Sequence, residues 1–186
     1  MCHRGLNLEH VYLRGTQCTL MGLTSALRIP CNSSGTPHMI EPQPPCAKDP
    51  LYVAPELLRD EPFDGYAVDL WSAGVMLFVM LLGTDSLFVA PVYEDKKFRE
   101  ICIDGNLRCV LRRRPPPAAK SDDDAGDAGP RLGVSDEAID LLQGMLRADP
   151  KARMTLADVQ QHAWVLAGEN DPPPDIPVGS AAVPEA

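Results

Sequence analysis

The sequence has too little positive charge for a protein whose main partner is a polyanion. Its 186 residues include 17 Lys and Arg against 26 Asp and Glu, a formal net charge of −9. Nucleic acids and anionic membrane surfaces both select for clustered basic side chains, so we expect neither as the main partner. The one basic run, Arg112–Arg114, is followed by prolines and then by Asp122–Asp124, a pattern typical of a solvated insertion.

Paired cysteines and a secretion signal are also lacking. The chain does not open with a basic region followed by an apolar one, and no two cysteines form a C-x-x-C pair. These absences disfavour a secreted disulfide scaffold and a zinc knuckle, and they predict an intracellular protein in the cytoplasm or the nucleus. The six scattered cysteines are Cys2, Cys18, Cys31, Cys46, Cys102 and Cys109.

No single apolar run is long enough to suggest a membrane-spanning segment. The longest, Leu70–Leu82, has about 13 residues, whereas a helix needs about 20 to cross a bilayer. Ser72 and Gly74 interrupt it. We therefore expect a buried helix here and no membrane partner.

Prolines and glycines are concentrated in three stretches, which predict where regular structure stops. These are residues 30–50, residues 112–133 and the tail from Pro172. Loops of this length inside a compact domain are usually functional or disordered. We predict one domain over residues 1–168, with a low-complexity insertion at 112–133 and a disordered tail over 169–186.

Between those stretches the apolar residues recur with helical spacing. The segment Ala67–Gly83 is apolar nearly all round and ends in glycine, which predicts a helix at the centre of a helical domain. A second helix is predicted over Asp95–Ile103 and a third from the N-cap Ser135 to Leu146. A fourth begins at Thr155, where an aspartate three residues later completes a capping box, and carries Val159, His162 and Trp164.

Only the opening of the chain has the pattern of strands. Val11–Leu13 and Cys18–Met21 predict a single hairpin around Arg14 and Gly15. The predicted class is therefore mainly α with a small β element.

Four segments then occur in the order of the second half of a Ser/Thr protein kinase domain. They are Leu51–Leu58 (LYVAPELL), Asp64–Val75 (DGYAVDLWSAGV), Arg147–Thr155 (RADPKARMT) and Gln161–Trp164 (QHAW). Together they resemble the C-terminal lobe of that family, a helical bundle with a small hairpin, from Cys2 to about Trp164. The opening MCHRxLxLE and the helix over Glu94–Glu100 are most similar to sucrose-nonfermenting-related kinases of plants and green algae. The ATP-binding N-terminal lobe of the family would lie before Met1, so we expect it to be absent.

The resemblance implies structural roles for the residues that match the family. Glu56 is expected to form a buried ion pair with Arg153, and loss of one partner of such a pair costs about 3–5 kcal/mol. Asp69 is expected to accept hydrogen bonds from the backbone of the catalytic loop, as a brace and not as a base. Trp71 is expected in the core.

Two further matching residues belong to the catalytic loop itself. The resemblance implies that the His3 side chain packs beneath the loop backbone. It also implies that the Arg4 side chain reaches toward the activation segment, here residues 20–56. In the family that segment carries a phosphate, and this stretch has several hydroxyl side chains, Thr24, Ser25, Ser33, Ser34 and Thr36.

The residues that carry the chemistry in the family are replaced. Kinases position the reacting groups with an Asp, an Asn and a second Asp that holds magnesium. Where the catalytic loop should resemble HRDLKxEN, this chain has Gly5 at the Asp and His10 at the Asn, and Leu20 stands at the Asp of the DFG motif. Leucine offers no oxygen to a hard cation. The resemblance thus implies no catalytic, cofactor-binding or metal-binding residue, and neither ATP nor magnesium, the cofactors of the family, is predicted.

Two further residues depart from the family motif, and two groups of residues are candidates for a metal site and for a phosphate-binding loop. Asn7 replaces the lysine of the catalytic loop, and Asp49 replaces a threonine near the expected position of the substrate hydroxyl. A metal site formed by His10 with Glu9 and His3 is disfavoured, because an irregular loop lacks the helical spacing of zinc ligands. The only glycine cluster, at Gly126, Gly129 and Gly133, has no strand before it, which disfavours a phosphate-binding loop.

Three functions remain open from the sequence. The first is a pseudokinase lobe that binds a protein partner at the surface that normally faces the small lobe. The second is one part of an active ATP-dependent Ser/Thr kinase whose N-terminal lobe is missing. The third is a fragment without stable function, because an isolated lobe exposes that same apolar surface.

Overall fold

The hairpin and the helices of the chain are described by a computed structural model, which covers residues 1–15, 17–45, 49–83, 87–113 and 134–169. Within these residues the mainly α class with a small hairpin is confirmed. The elements are β1 Val11–Arg14, β2 Gln17–Leu20, α1 Pro55–Leu58, α2 Gly65–Leu82, α3 Lys96–Phe98, α4 Leu107–Arg112, α5 Asp136–Met145, α6 Leu156–Gln160 and α7 Ala163–Glu169. A π-helical segment, Arg99–Ile103, continues α3, and 3-10 turns lie at Leu8–His10, Leu23–Ser25 and Pro50–Tyr52.

The hairpin pairs β1 and β2 antiparallel, with Val11 opposite Leu20 and Arg14 opposite Gln17. The sequence predicted both strands to within one residue at each end. Gly15 begins the turn with φ of 60°, a left-handed conformation that glycine adopts without strain. Most side chains of the two strands are exposed, so the hairpin contributes little to the core.

Helix α2 is the centre of the fold, as the sequence predicted. The Asp64 side chain accepts a hydrogen bond from the Tyr66 N–H at its start, and Gly83 ends it in the left-handed conformation. At 18 residues and a mean hydropathy of 1.7, α2 is long and apolar enough to cross a membrane. The length argument made from Leu70–Leu82 therefore does not hold for the complete helix. Half of this 18-residue helix is nevertheless buried inside the protein, as in a core helix.

The core forms where aromatic side chains converge on α2. Trp71 is fully buried, and its ring centroid lies 6.0 Å from that of Phe88 and 6.2 Å from that of Phe98. On another part of α2, Gly74 permits the close approach of α5. A Cβ on Gly74 would lie 3.0 Å from the Met145 Cβ, so a larger residue would push the two helices apart.

Two predicted helices are divided in the structure. The capping box of Thr155 and Asp158 is present, but α6 ends at Gln160 and α7 begins at Ala163. The side chain of His162 explains the break, because its Nδ1 accepts a hydrogen bond from the Trp164 N–H at 3.3 Å and so caps the start of α7. The helix predicted over 95–103 likewise changes from α3 to the π-helical segment at residue 99.

The predicted insertion and tail lie almost entirely outside the described residues. Arg112 is the last residue of α4 and Arg113 its C-cap, so regular structure continues into the first two residues of the predicted insertion. Residues 114–133, which include the glycine cluster, are outside the described part. Glu169 ends α7, and the remainder of the predicted tail, 170–186, is also outside it.

Candidate functional site

The segment His3–His10, which the resemblance aligns with the catalytic loop and which we call the catalytic-loop counterpart, is held against α2 by one carboxylate. Asp69 Oδ2 accepts a hydrogen bond from the His3 N–H at 2.6 Å, and Oδ1 accepts one from the Arg4 N–H at 2.8 Å. Arg4 has φ of 62°, a conformation that non-glycine residues rarely adopt, and these hydrogen bonds hold it there. Burial raises the pKa of the Asp69 carboxyl, although the two backbone N–H groups oppose that shift. Asp69 thus has the contacts of a brace.

His3 lies beneath the loop and uses both ring nitrogens. Its Nε2 donates to the Met21 carbonyl at 2.7 Å, and its Nδ1 accepts from the Gly5 N–H at 3.3 Å. A carbonyl can only accept and a backbone N–H can only donate, so these two contacts correspond to the tautomer with the proton on Nε2. His3 therefore has no free nitrogen to bind a metal ion.

His10 fills the space next to the glycine of the DFG counterpart. Its Nδ1 donates to the Gly5 carbonyl at 2.7 Å, and its ring centroid lies 5.5 Å from that of His3. Gly22 has φ of 80°, and a Cβ there would lie 2.5 Å from His10 Cδ2. Gly22 is therefore required both by its backbone conformation and by the imidazole packed against it.

Gly5, at the position of the catalytic aspartate, is buried but is not confined by its neighbours. A Cβ on Gly5 would meet no atom closer than His3 Nδ1 at 3.8 Å, which is ordinary van der Waals contact. Packing therefore does not explain the absence of a side chain at this position.

Leu20 is the last residue of β2, and its side chain is exposed. The next residue, Met21, donates its N–H to the His10 carbonyl at 2.8 Å. The structure thus brings Gly5, His10 and the segment from Leu20 to Gly22 together through contacts of His10. Their side chains supply no carboxylate and no amide at the three aligned positions.

Arg4 points into the protein and contacts the activation-segment counterpart. Its Nη2 donates to the Pro44 carbonyl at 2.8 Å, and its guanidinium carbon lies 5.8 Å from the centroid of the Phe63 ring. Its Nε is buried and has no hydrogen-bond partner among the described residues. Arg4 therefore joins the loop to residues 20–56 through a backbone carbonyl.

The buried ion pair joins α1 to the segment before α6. Arg153 Nη1 and Nη2 donate to the two carboxylate oxygens of Glu56 at 2.8 and 3.0 Å. The same guanidinium donates to the carbonyls of Ala67 and Arg147 and lies 5.1 Å from the centroid of the Trp71 ring. Both charges are thus desolvated together, with hydrogen bonds that a single missing partner would leave unsatisfied.

Three polar contacts of this region were not predicted. Asn7 accepts a hydrogen bond from the His10 N–H, and Ser72 on α2 donates to the Tyr52 carbonyl at 2.8 Å. Asp49, expected near the substrate hydroxyl, caps a 3-10 turn by accepting from the Leu51 N–H at 2.9 Å. The sequence Asp-Pro at 49–50 is a recognisable start signal for such a turn. The Ser72 contact spans 20 residues and has no local signal.

Comparison with known proteins agrees with this geometry. The chain is 30% identical to Serine/threonine-protein kinase SRK2F of Arabidopsis thaliana over 176 residues, which cover 94% of this chain and 43% of that protein. It is 31% identical to Serine/threonine-protein kinase SRK2C of the same plant over 170 residues, covering 89% and 42%. For Calcium-dependent protein kinase 7, also from Arabidopsis, the identity is 36% over 123 residues, covering 66% and 19%. The chain thus spans less than half the length of these relatives.

The family resemblance inferred from the four segments is confirmed by a match over most of the chain. Residues 40–165 match the protein kinase domain, and that range includes the Glu56–Arg153 pair, Asp69 and Trp71. This chain belongs to the protein kinase domain family.

Proposed function

We propose that this chain is a pseudokinase lobe, which does not transfer phosphate and serves as a protein-binding scaffold. The observation that supports the proposal is the trio of Gly5, His10 and Leu20 at the positions that the resemblance aligns with the catalytic residues, on segments that contact one another through His10. The braces around that trio are intact. A lobe that keeps its framework and lacks its reacting groups is suited to binding and not to catalysis.

The three replacements remove two requirements of the reaction, the group that accepts the substrate proton and the ligands of the metal ion. Without the carboxylate at Gly5, nothing at that position orients the substrate hydroxyl and accepts its proton. The imidazole of His10 has one nitrogen committed to the Gly5 carbonyl, and Leu20 has no ligand atom. Magnesium ions need oxygen ligands in near-octahedral geometry, and these two side chains supply none.

The partner is proposed to meet the hairpin surface, defined by Met1, Tyr12, Leu13, Met21 and Leu23. All five side chains are exposed, Tyr12 by 59% and Leu13 by 68%. In the family this side of the lobe faces the small lobe. Exposed apolar side chains close together in the chain mark either a partner site or an aggregation liability, and the proposal commits to the former.

The catalytic half of the proposal is tested by incubating the purified chain with radiolabelled ATP, magnesium and mixed substrate peptides. We expect no more incorporation than with heat-denatured chain, and no saturable thermal shift with ATP, with or without magnesium. Magnesium-dependent incorporation that survives repurification would overturn the proposal. A saturable shift with ATP would favour the alternative below.

The scaffold half is tested with a photo-crosslinking amino acid placed at Leu13 and, as a matched control, at the exposed Val89 outside the hairpin. A discrete protein adduct that forms in cells from position 13 and not from position 89 is expected. The same adducts from both positions, or none from position 13, would contradict a partner at the hairpin surface.

The alternative is that this chain is one part of an ATP-dependent Ser/Thr kinase, with ATP and magnesium as cofactors. The coverage of less than half of the relatives favours it. A chimera that joins the preceding part of SRK2F to this chain tests it. Turnover by a folded chimera would support this alternative. We expect no turnover, because Gly5 still lacks the carboxylate, and that result would contradict the alternative.

A further inference from the structure

Two adjoining cavities form a groove beside α3 and the π-helical segment, away from the catalytic-loop counterpart. Their volumes are about 530 and 550 Å³. Both are lined by Tyr93 and Ile103, whose side chains are 56% and 38% exposed, so the two cavities share one apolar floor. We call the joined cavities the α3 groove.

Four basic side chains that line the groove have no partner in the described ranges of the chain. Arg147 and Lys151 belong to the first cavity, and Lys96 and Arg99 to the second. Within the described part of the chain, none of the four side chains makes a hydrogen bond or an ion pair. Arg147 has a defined position, because its guanidinium lies over Gly105, where a Cβ would be 2.5 Å from Nη1. The groove therefore holds cations that the fold itself does not neutralise.

The carboxylates of the groove are, by contrast, mostly engaged within the protein. Glu61 pairs with Arg59 at 3.1 Å, and Glu100 pairs with Arg113. Asp149 accepts a hydrogen bond from the Lys151 N–H at 2.9 Å, and Glu56 belongs to the buried ion pair. Asp104 is the remaining carboxylate of the groove. The uncommitted charge here is positive, although the chain as a whole carries −9.

This combination identifies the chemistry of the occupant. A polyphosphate or a nucleic acid would be matched by a continuous basic stripe, whereas here an exposed apolar floor joins two basic ends. A peptide that carries an apolar side chain between carboxylates complements both features. Opposite charges across an interface chiefly determine which partner is selected and how fast it associates.

We propose that the α3 groove binds an acidic segment of a partner protein. An apolar side chain of that segment packs on Tyr93 and Ile103, and carboxylates on either side pair with Arg147 and Lys151 and with Lys96 and Arg99. This surface is distinct from the hairpin surface, and the proposal does not depend on whether the chain catalyses phosphate transfer.

The test uses three labelled synthetic peptides of equal length, with one central Leu-Phe pair flanked by Glu, by Gln or by Lys. Fluorescence anisotropy with the full chain should show binding in the order Glu, Gln, Lys, with the Glu peptide weakened by added salt. Equal binding of the Glu and Gln peptides would overturn the proposal. Stronger binding of a single-stranded oligonucleotide that Arg99→Glu abolishes would also overturn it.

Matched variants test whether the peptides bind in the α3 groove. Arg99→Glu with Lys151→Glu should weaken the Glu peptide at least tenfold, and Ile103→Gln should weaken all three peptides. Arg28→Glu, which reverses an exposed cation outside the groove, should change nothing. The melting temperature of each variant is measured alongside to show that it folds. Equal losses in Arg28→Glu and in the groove variant would contradict the proposal.

The chain itself contains an acidic run, Asp122–Asp124, nine residues beyond Arg113. This run would compete with the Glu peptide for the α3 groove. The peptides are therefore also measured against a variant with all three aspartates changed to asparagine. Absence of Glu-peptide binding to both the wild-type chain and this variant would overturn the proposal.

Discussion

The ion-pair region and the catalytic-loop counterpart are both attached to the first turns of α2, but they differ in what they have kept. In the former, Glu56, Arg153 and Trp71 match the family, and each is almost fully buried. In the latter, the anchoring contacts to Asp69 are present, whereas the positions that the resemblance aligns with catalytic residues hold Gly5 and His10. The comparison teaches that this loop packs against α2 through backbone contacts to Asp69 and through the hydrogen bond from His10 to Gly5.

The largest expected effect comes from the ion pair. Arg153→Met keeps most of the side-chain volume but leaves the Glu56 carboxylate buried and unpaired, so the free energy of unfolding should fall by about 3–5 kcal/mol. Urea denaturation measures it. The control is Arg108→Met, which breaks an exposed pair with Asp136 and should cost less than about 1 kcal/mol. Similar losses in the two variants would mean that burial of the pair is not what stabilises this region.

The next effect concerns the brace of the loop. Asp69→Ala removes the acceptor of the His3 and Arg4 N–H groups, and we expect a loss of about 2–3 kcal/mol. Hydrogen exchange of those two amides should accelerate more than that of amides in α5. Asp104→Asn, which changes a carboxylate without a hydrogen-bond partner among the described residues, is the control. Unchanged exchange at His3 and Arg4 would show that the loop is held by other contacts.

Two glycine substitutions distinguish a position without room for a side chain from a position that has room for one. Gly22→Ala should cost about 1–3 kcal/mol, because alanine is strained at φ of 80° and its Cβ would overlap the His10 ring. Gly5→Ala should change the free energy of unfolding by less than about 1 kcal/mol, since its Cβ has room. Thermal denaturation of both variants measures the difference. An equal loss at the two positions would contradict the packing described for Gly5.

The smallest expected effect is a pH dependence at Asp69. Its pKa is raised by burial, so the folded state binds the proton more tightly than the unfolded state does. The resulting stabilisation is complete below the ordinary aspartate pKa of about 3.9 and is lost as the pH rises through the raised pKa. Relative to Asp69→Asn, the wild-type chain should therefore become less stable as the pH increases from about 4. Urea denaturation of both chains over a pH series measures this, and a constant difference would contradict it.

Most of the fold could be predicted because its signals are local. The capping box of Thr155 and Asp158, the N-cap Ser135 and the terminal Gly83 each act within one helical turn of the chain. The break at His162 was missed because a histidine side chain seldom caps a helix. The four-residue α1 was missed because it is too short to show a helical period.

For the candidate site, the resemblance gave the aligned residues and the contacts of Glu56, Arg153 and Asp69, but it did not give the contacts among Gly5, His10 and Gly22. The alignment with the family placed Gly5, His10 and Leu20, which is a statement about residue types at given positions. That the His10 imidazole donates to the Gly5 carbonyl, and that Gly5 has room for a side chain while Gly22 has none, depends on atoms from separate segments. No local pattern carries that information.

The sequence by itself determined the helical class, the hairpin and the family, because periodicity, capping and motif order are properties of the chain. Only the tertiary structure decided which of the remaining cations stay without a partner. The Glu56–Arg153 pair was expected from the resemblance, whereas nothing in the sequence distinguishes Arg147 and Lys96, which have no ion-pair partner among the described residues of the α3 groove. The physical reason is that pairing and desolvation depend on distances between residues far apart in the chain, which exist only once the chain has folded.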